Sequence, residues 1–195
     1  MGSDLELIKQ KALEEHIPIL MDETLEVILK ILEEEKPKRL LEIGTAVGYS
    51  AICFAQKLES DAIIDTIEID ENRAIEAKEN IKKMKMENMI NIIQGNAVDI
   101  LPTIQGEYDI VFIDAAKGKY PVFLKEAYRL LRNEGIILAD NVLYKGYVLS
   151  DYNKHKQRTA VNHLREYIKE IDENPNFESK LLEVGDGLAI TKIKK

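Results

Sequence analysis

Apolar residues return at helical spacing in two stretches near the start of the chain. Leu5 and Ile8 mark the first, over 4–15; Leu25, Ile28, Leu29 and Leu32 mark the second, over 22–35. Both predict amphipathic helices, with Asp22 as N-cap of the second and Pro37 as its stop. Arg39-Leu-Leu-Glu-Ile43 follows as a short buried strand. The period then alternates. Helices are expected over 49–59, from an Asp70 cap to about Met86, near 97–104 and over 120–132. Strands are expected over 62–68, 90–94, 108–113 and 135–139. Continuously apolar strands alternating with helices predict an α/β fold, a parallel sheet covered by helices on both faces. After residue 140 the rhythm changes to a long loop and a helix over 156–173. Two last strands, at 177–184 and 187–193, are joined by Gly185-Asp186-Gly187, which predicts a hairpin. No Pro/Gly/Ser-rich linker or internal repeat interrupts the 195 residues. One domain is expected, with N-terminal helices over 1–36 and an α/β core over 37–195.

Candidate chemistry gathers at strand ends. Glu42-Ile-Gly-Thr-Ala-Val-Gly-Tyr-Ser50 lies where the first core strand enters its helix. Gly44 allows a sharp turn, and Gly48 would let a ligand approach the backbone. The spacing is neither the dinucleotide GxGxxG nor a phosphate loop ending in Gly-Lys-Ser/Thr. The turn has no basic residue and carries a carboxylate, Glu42, which suits a cationic ligand better than a polyphosphate. Glu68 ends the next strand, where an acid can accept both hydroxyls of a ribose. Together these features point to S-adenosylmethionine, which has an amino group, a sulfonium and a ribose but no phosphate. The plainer reading is a shaped turn and a capped strand edge.

Two further strand ends are acidic, at Phe112-Ile-Asp-Ala-Ala-Lys117 and Leu138-Ala-Asp-Asn141. Ligands of parallel sheets bind outside the carboxyl ends of the strands, so Asp114, Asp140 and Asn141 are expected to converge there. Two carboxylates and an amide oxygen form a hard set suited to Mg²⁺, Mn²⁺ or Ca²⁺ rather than zinc. Ordinary strand-end capping is the alternative. Lys117 lies three residues beyond Asp114. A neighbouring divalent cation would ease loss of its proton, which suits a general base; a solvated loop lysine is the plainer reading.

These motifs, with Thr66-Ile-Glu68, Gly95-Asn-Ala97 and Gly185-Asp-Gly-Leu188, resemble those of the cation-dependent O-methyltransferases of catechol and caffeoyl-CoA type. The resemblance runs from about His16 to the carboxyl terminus. It implies a Rossmann-like class I methyltransferase fold, a seven-stranded, mostly parallel sheet whose last strand is antiparallel. It also implies that Glu42, Gly44, Ala46, Gly48, Ser50, Glu68, Ala97 and Asp114 contact S-adenosylmethionine. Asp114, Asp140 and Asn141 would bind the metal, with Lys117 and Asp114 in catalytic roles. Within the family, Glu15-His-Ile-Pro-Ile19, Ile113-Asp-Ala-Ala-Lys-Gly-Lys-Tyr120 and Asp140-Asn-Val-Leu-Tyr-Lys-Gly-Tyr147 are most similar to bacterial enzymes that methylate 5-hydroxyuridine at the tRNA wobble position. A homodimer is the expected assembly.

Charge sharpens the choice of partner. The formal total of −8 argues against a chain that is basic all over. Between Ala115 and Arg158, however, nine basic residues face four acidic ones, a local +5 that leaves −13 elsewhere. A basic face beside the site suits a tRNA anticodon stem-loop, with Lys117, Lys119, Lys145, Tyr147, Lys154, Lys156 and Arg158 as contacts. Tyr144, Tyr147 and Tyr152 would stack on unpaired bases. A small phenolic acceptor is the alternative, in an apolar pocket gated by 142–158. The single cysteine, Cys53, excludes an intramolecular disulfide and reads as a core residue. His16 reads as a helix-end residue, His155 and His163 as surface residues, and Met84, Met86 and Met89 as packing. No apolar run reaches the roughly 18 residues of a membrane span, and the charged amino terminus is unlike a secretory signal. A cytoplasmic protein is expected.

Overall fold

The computed structural model describes residues 2–151 and 157–195. The chain divides into two compact units, Met1–Ile100 and Leu101–Lys195.

The first unit begins with α1 (Gly2–Glu14) and α2 (Asp22–Glu35). Helix α2 buries Leu25, Ile28 and Leu32, the stripe expected from their spacing. Its cap differs from expectation. Met21 occupies the cap position without a side-chain bond, and Asp22 is the first helical residue. The Asp22 carboxylate instead accepts from Lys9 Nζ of α1 at 2.6 and 2.7 Å. Strands β1 (Arg39–Ile43), β2 (Ile63–Glu68) and β3 (Ile90–Gln94) pair in parallel, β1 with β2 and β2 with β3. Between them run α3 (Tyr49–Ala55) and α4 (Glu71–Lys83). The Asp70 side chain caps α4, accepting the Arg73 N–H at 3.0 Å. The one-turn α5 (Ala97–Ile100) closes the unit.

In the second unit, β4 (Tyr108–Ile113) pairs in parallel with β5 (Leu131–Ala139), and α6 (Tyr120–Leu130) packs on both. Strand β5 starts four residues earlier than its apolar run, because Leu131 already pairs with Tyr108 before the register shifts. The exposed residues 132–134 span that irregularity, where Glu134 adopts φ 62°. Helix α7 (Arg158–Glu173) precedes the expected hairpin of β6 (Phe177–Leu182) and β7 (Leu188–Ile193). Strand β7 runs antiparallel to β5 as well as to β6. The strand order is β3-β2-β1-β4-β5-β7-β6, the seven-stranded mixed sheet that the resemblance implied. Among the described residues, no helix is long and apolar enough to cross a membrane.

Candidate active site

The glycine turn of the first unit follows β1 directly. Gly44, Ala46 and Gly48 all take positive φ, at 109°, 47° and 82°. Gly48 caps α3, and a Cβ there would meet Ala77 of α4 at 3.4 Å. Its positive φ is what calls for glycine, since the 3.4 Å approach to Ala77 is ordinary van der Waals contact. The Ala46 N–H donates to Glu68 Oε2 at 2.7 Å, and the Asp70 N–H donates to Oε1 at 2.9 Å. Glu68 is thus aimed at the turn by two backbone donors, and each of its oxygens keeps further acceptor capacity. Glu42 is fully buried beneath the turn. It accepts from Ser50 Oγ and from Thr66 Oγ1, both at 2.5 Å, and Thr66 in turn meets Thr45 Oγ1 at 2.6 Å. Ala97 is half-buried at the start of α5, whose Val98 N–H is capped by Asn96 Oδ1 at 3.1 Å.

The acidic cluster belongs to the second unit. Ile113 and Ala139 are register partners at the ends of β4 and β5, so Asp114 and Asp140 leave the sheet side by side. The Asp140 N–H donates to the Ile113 carbonyl at 3.0 Å. Tyr120 fastens both strand ends from below. Its buried hydroxyl donates to the Asp140 carbonyl at 2.7 Å and lies 3.4 Å from that of Ile113. Asn141 turns into the left-handed region at φ 55°. That turn folds its N–H and Nδ2 back onto the two oxygens of Asp140, at 2.7 and 3.0 Å. Lys117 Nζ donates to Asn141 Oδ1 at 2.8 Å and stands 5.7 Å from the Tyr144 ring centroid.

Electrostatics mark this cluster as costly to maintain. Burial pushes the Asp114 carboxyl up, with Lys117 partly opposing. Asp140 is pushed up to about 7, first by burial, then by the like charges of Asp114 and Asp186, against its Asn141 backbone bond and Lys117. Two crowded carboxylates and an amide oxygen, all oxygen donors, fit a hard divalent cation. Asp114, Asp140 and Asn141 would hold it. No group of three or more His, Cys, Asp or Glu side chains among the described residues forms a separate metal site.

Past Asn141 the chain is anchored to the β6–β7 turn. The N–H groups of Val142 and Leu143 donate to the carbonyls of Gly187 and Asp186, and the Lys145 N–H donates to Asp186 Oδ1 at 3.1 Å. Gly187, at φ 91°, has Leu143 Cγ where a Cβ would stand. Lys119, Lys145 and Arg158 are exposed and Tyr147 is half-buried against Tyr144, ring edge to face at 5.7 Å. Tyr152, Lys154, His155 and Lys156 lie outside the described residues. His163, expected at the surface, is half-buried, its Nδ1 2.6 Å from the Gly118 carbonyl. Cys53 is a core residue as expected, and burial pushes its thiol up to about 12. Arg165 lies in no motif, and although Thr66, Tyr120 and Asp186 fall inside motifs, their bonds are to elements distant in sequence and were not expected.

A family model described as O-methyltransferase matches residues 6–194. The chain belongs to the O-methyltransferase family. A catechol O-methyltransferase from Niastella koreensis is 34% identical over 80% of this chain and 74% of its own length. A caffeoyl-CoA O-methyltransferase from Populus kitakamiensis is 28% identical over 90% of this chain and 77% of its own. Among solved structures, an O-methyltransferase from Bacillus cereus in complex with S-adenosylhomocysteine superposes with a TM-score of 0.89 at 27% identity. It covers 98% of this chain and 91% of that one. The family expected from the motifs is the family found.

Proposed function

We propose that this O-methyltransferase takes its methyl group from S-adenosylmethionine, requires a divalent cation, and methylates the 5-hydroxyl of 5-hydroxyuridine in a tRNA anticodon stem-loop. The observation that carries the reading is the acidic cluster. Asp114 and Asp140 leave register-paired strand ends, Asn141 folds onto Asp140, and Lys117 bonds to Asn141.

In the reaction a C–O bond forms to the acceptor oxygen as the methyl–sulfur bond breaks, leaving a neutral thioether and releasing the acceptor's proton. A cation held by Asp114, Asp140 and Asn141 would supply Lewis acidity that lowers the acceptor hydroxyl's pKa. The chain's residues otherwise orient and neutralise. Glu68, held by the Ala46 and Asp70 N–H groups, accepts from the ribose hydroxyls of the donor. Glu42 fixes the turn above it through Ser50 and Thr66. Lys117 donates to Asn141 Oδ1 and so orients the amide beside the acceptor site.

Exposed Lys119, Lys145 and Arg158 suit a phosphate backbone, and the Tyr144–Tyr147 pair suits a flat pyrimidine. The second reading, a catechol-like phenol, draws on the relatives named catechol and caffeoyl-CoA O-methyltransferase. The two are separated by incubating the protein with S-adenosylmethionine, Mg²⁺ and either 5-hydroxyuridine-bearing tRNA or a catechol panel, with products read by mass spectrometry. Methylation of the tRNA, falling steeply with salt, is expected. Methylation confined to catechols would replace the first reading with the second.

A further inference from the structure

Arg165 of α7 reaches the far end of the segment that begins at Asn141. Its Nε donates to the Val148 carbonyl at 3.1 Å and its Nη2 to the Tyr147 carbonyl at 3.3 Å; Nη2 also donates to the Ser150 carbonyl. Between Asn141 and these carbonyls the backbone is strained. Tyr144, Lys145 and Gly146 take φ of 44°, 57° and 72°, three successive left-handed residues of which only the last is glycine. Such a run is unfavourable for residues other than glycine and persists only where its surroundings over-determine it. The near end is fixed by Gly187 and Asp186. The far end has the guanidinium, whose planar fork suits several carbonyls at once and remains charged throughout the working pH range. Nothing lies within 4 Å of where a Gly146 Cβ would stand, so the tip itself is open. The Tyr144 ring between the two anchors sits against both Tyr147 and Lys117. Helix α7 also meets the loop carrying Lys117, through His163 and Gly118.

We propose that Arg165 is a positioning residue for the acceptor: by gathering the Tyr147, Val148 and Ser150 carbonyls it holds the strained 144–146 turn, and with it the Tyr144–Tyr147 face, in the geometry that receives a flat hydroxylated ring beside Asn141. The inference rests on the function proposed above for this site and adds the residue that sets acceptor binding. Its guanidinium is engaged by these three carbonyls, so donor affinity is expected not to depend on it.

The test compares wild type, R165A and R165K in the full chain with 5-hydroxyuridine stem-loop RNA and with 3,4-dihydroxybenzoate as acceptors. Expected for R165A are an acceptor KM raised about tenfold, kcat changed by less than about threefold and an unchanged S-adenosylmethionine Kd by calorimetry, the loss of anchoring appearing in binding. Low millimolar guanidinium restores the R165A KM, and R165K, one ammonium facing three carbonyls, falls between. Amide hydrogen exchange over 144–151 accelerates in both variants, a readout that needs no turnover. If neither acceptor is turned over by wild type, the function reading fails, and the exchange result alone decides whether Arg165 holds the turn. Unchanged KM with unchanged exchange overturns the proposal. So does a joint loss of melting temperature, donor affinity and kcat without guanidinium rescue. If R165A does not fold, R165K decides on the same readouts.

Discussion

Replacing Asp140 by Asn should stabilise the cation-free protein, and by an amount that grows with pH. Asp140 is 1% exposed and its carboxyl is pushed up to about 7, against about 3.9 for a free aspartate. An acid raised in the folded state holds its proton longer there than in the unfolded chain. Its favourable balance is therefore complete below pH 4, erodes as pH rises toward 7, and is level above it. Relative to acid pH, burying Asp140 costs about 1–2 kcal/mol at pH 5, where the folded carboxyl still holds its proton and the unfolded one does not, and about 4 kcal/mol at pH 8. D140N removes that cost. It also loses one bond, since the Asn141 Nδ2 donor at 3.0 Å then faces an amide or a single shared oxygen. That loss, about 1 kcal/mol, is the same at both pH values and cancels in the difference. The advantage of D140N over wild type should therefore widen by about 2–3 kcal/mol between pH 5 and pH 8. Urea denaturation in chelator at the two pH values measures it. Millimolar Mg²⁺ should remove most of the widening by stabilising the wild type alone. A D140N advantage that stays flat with pH would refute the claim that crowding and burial hold this carboxyl under strain.

Three other outcomes follow from individual contacts. E68Q should weaken S-adenosylmethionine binding about 10- to 100-fold by calorimetry, because hydrogen bonds to a charged group are worth about 1.5–3 kcal/mol. It should also destabilise the fold by about 1–3 kcal/mol, because its amide nitrogen then faces the Ala46 or Asp70 N–H; unaltered affinity would remove Glu68 from the donor site. G48A should destabilise the protein by about 1–2 kcal/mol in urea, since Gly48 has φ 82° and Ala77 lies 3.4 Å from its Cβ position. Cys53 should resist alkylation by iodoacetamide at pH 8 until the protein is unfolded, its thiol being buried and pushed up to about 12; rapid reaction of native protein would contradict that placement.

The sheet and the acids at its strand ends were legible in the sequence because period and apolar content locate strand termini, and strand termini locate ligands. Glu68, Asp114, Asp140 and Asn141 all sit at the expected ends of β2, β4 and β5. Local competition escaped it. Asp22 serves Lys9 rather than the helix cap, and β5 starts at Leu131 because Tyr108 pairs with it across a register shift. Gly48 is required by its left-handed φ at the start of α3, a backbone demand that spacing alone does not reveal. Contacts made across the fold were invisible. Tyr120 binds a carbonyl twenty residues on, His163 meets one forty-five residues back, and Arg165 gathers three from another segment. No spacing rule encodes those pairings; tertiary packing creates them.

The role proposed for the Asp114–Asp140–Asn141 cluster is a cation-dependent methyl transfer. Its most direct test is turnover by chelator-treated protein with S-adenosylmethionine and hydroxylated acceptors, quantified by mass spectrometry with and without added Mg²⁺, for wild type and folded D140N. No methylated product is expected from chelated wild type, with recovery on adding Mg²⁺ and no recovery in D140N. Full turnover in excess chelator, or by folded D140N, would contradict it.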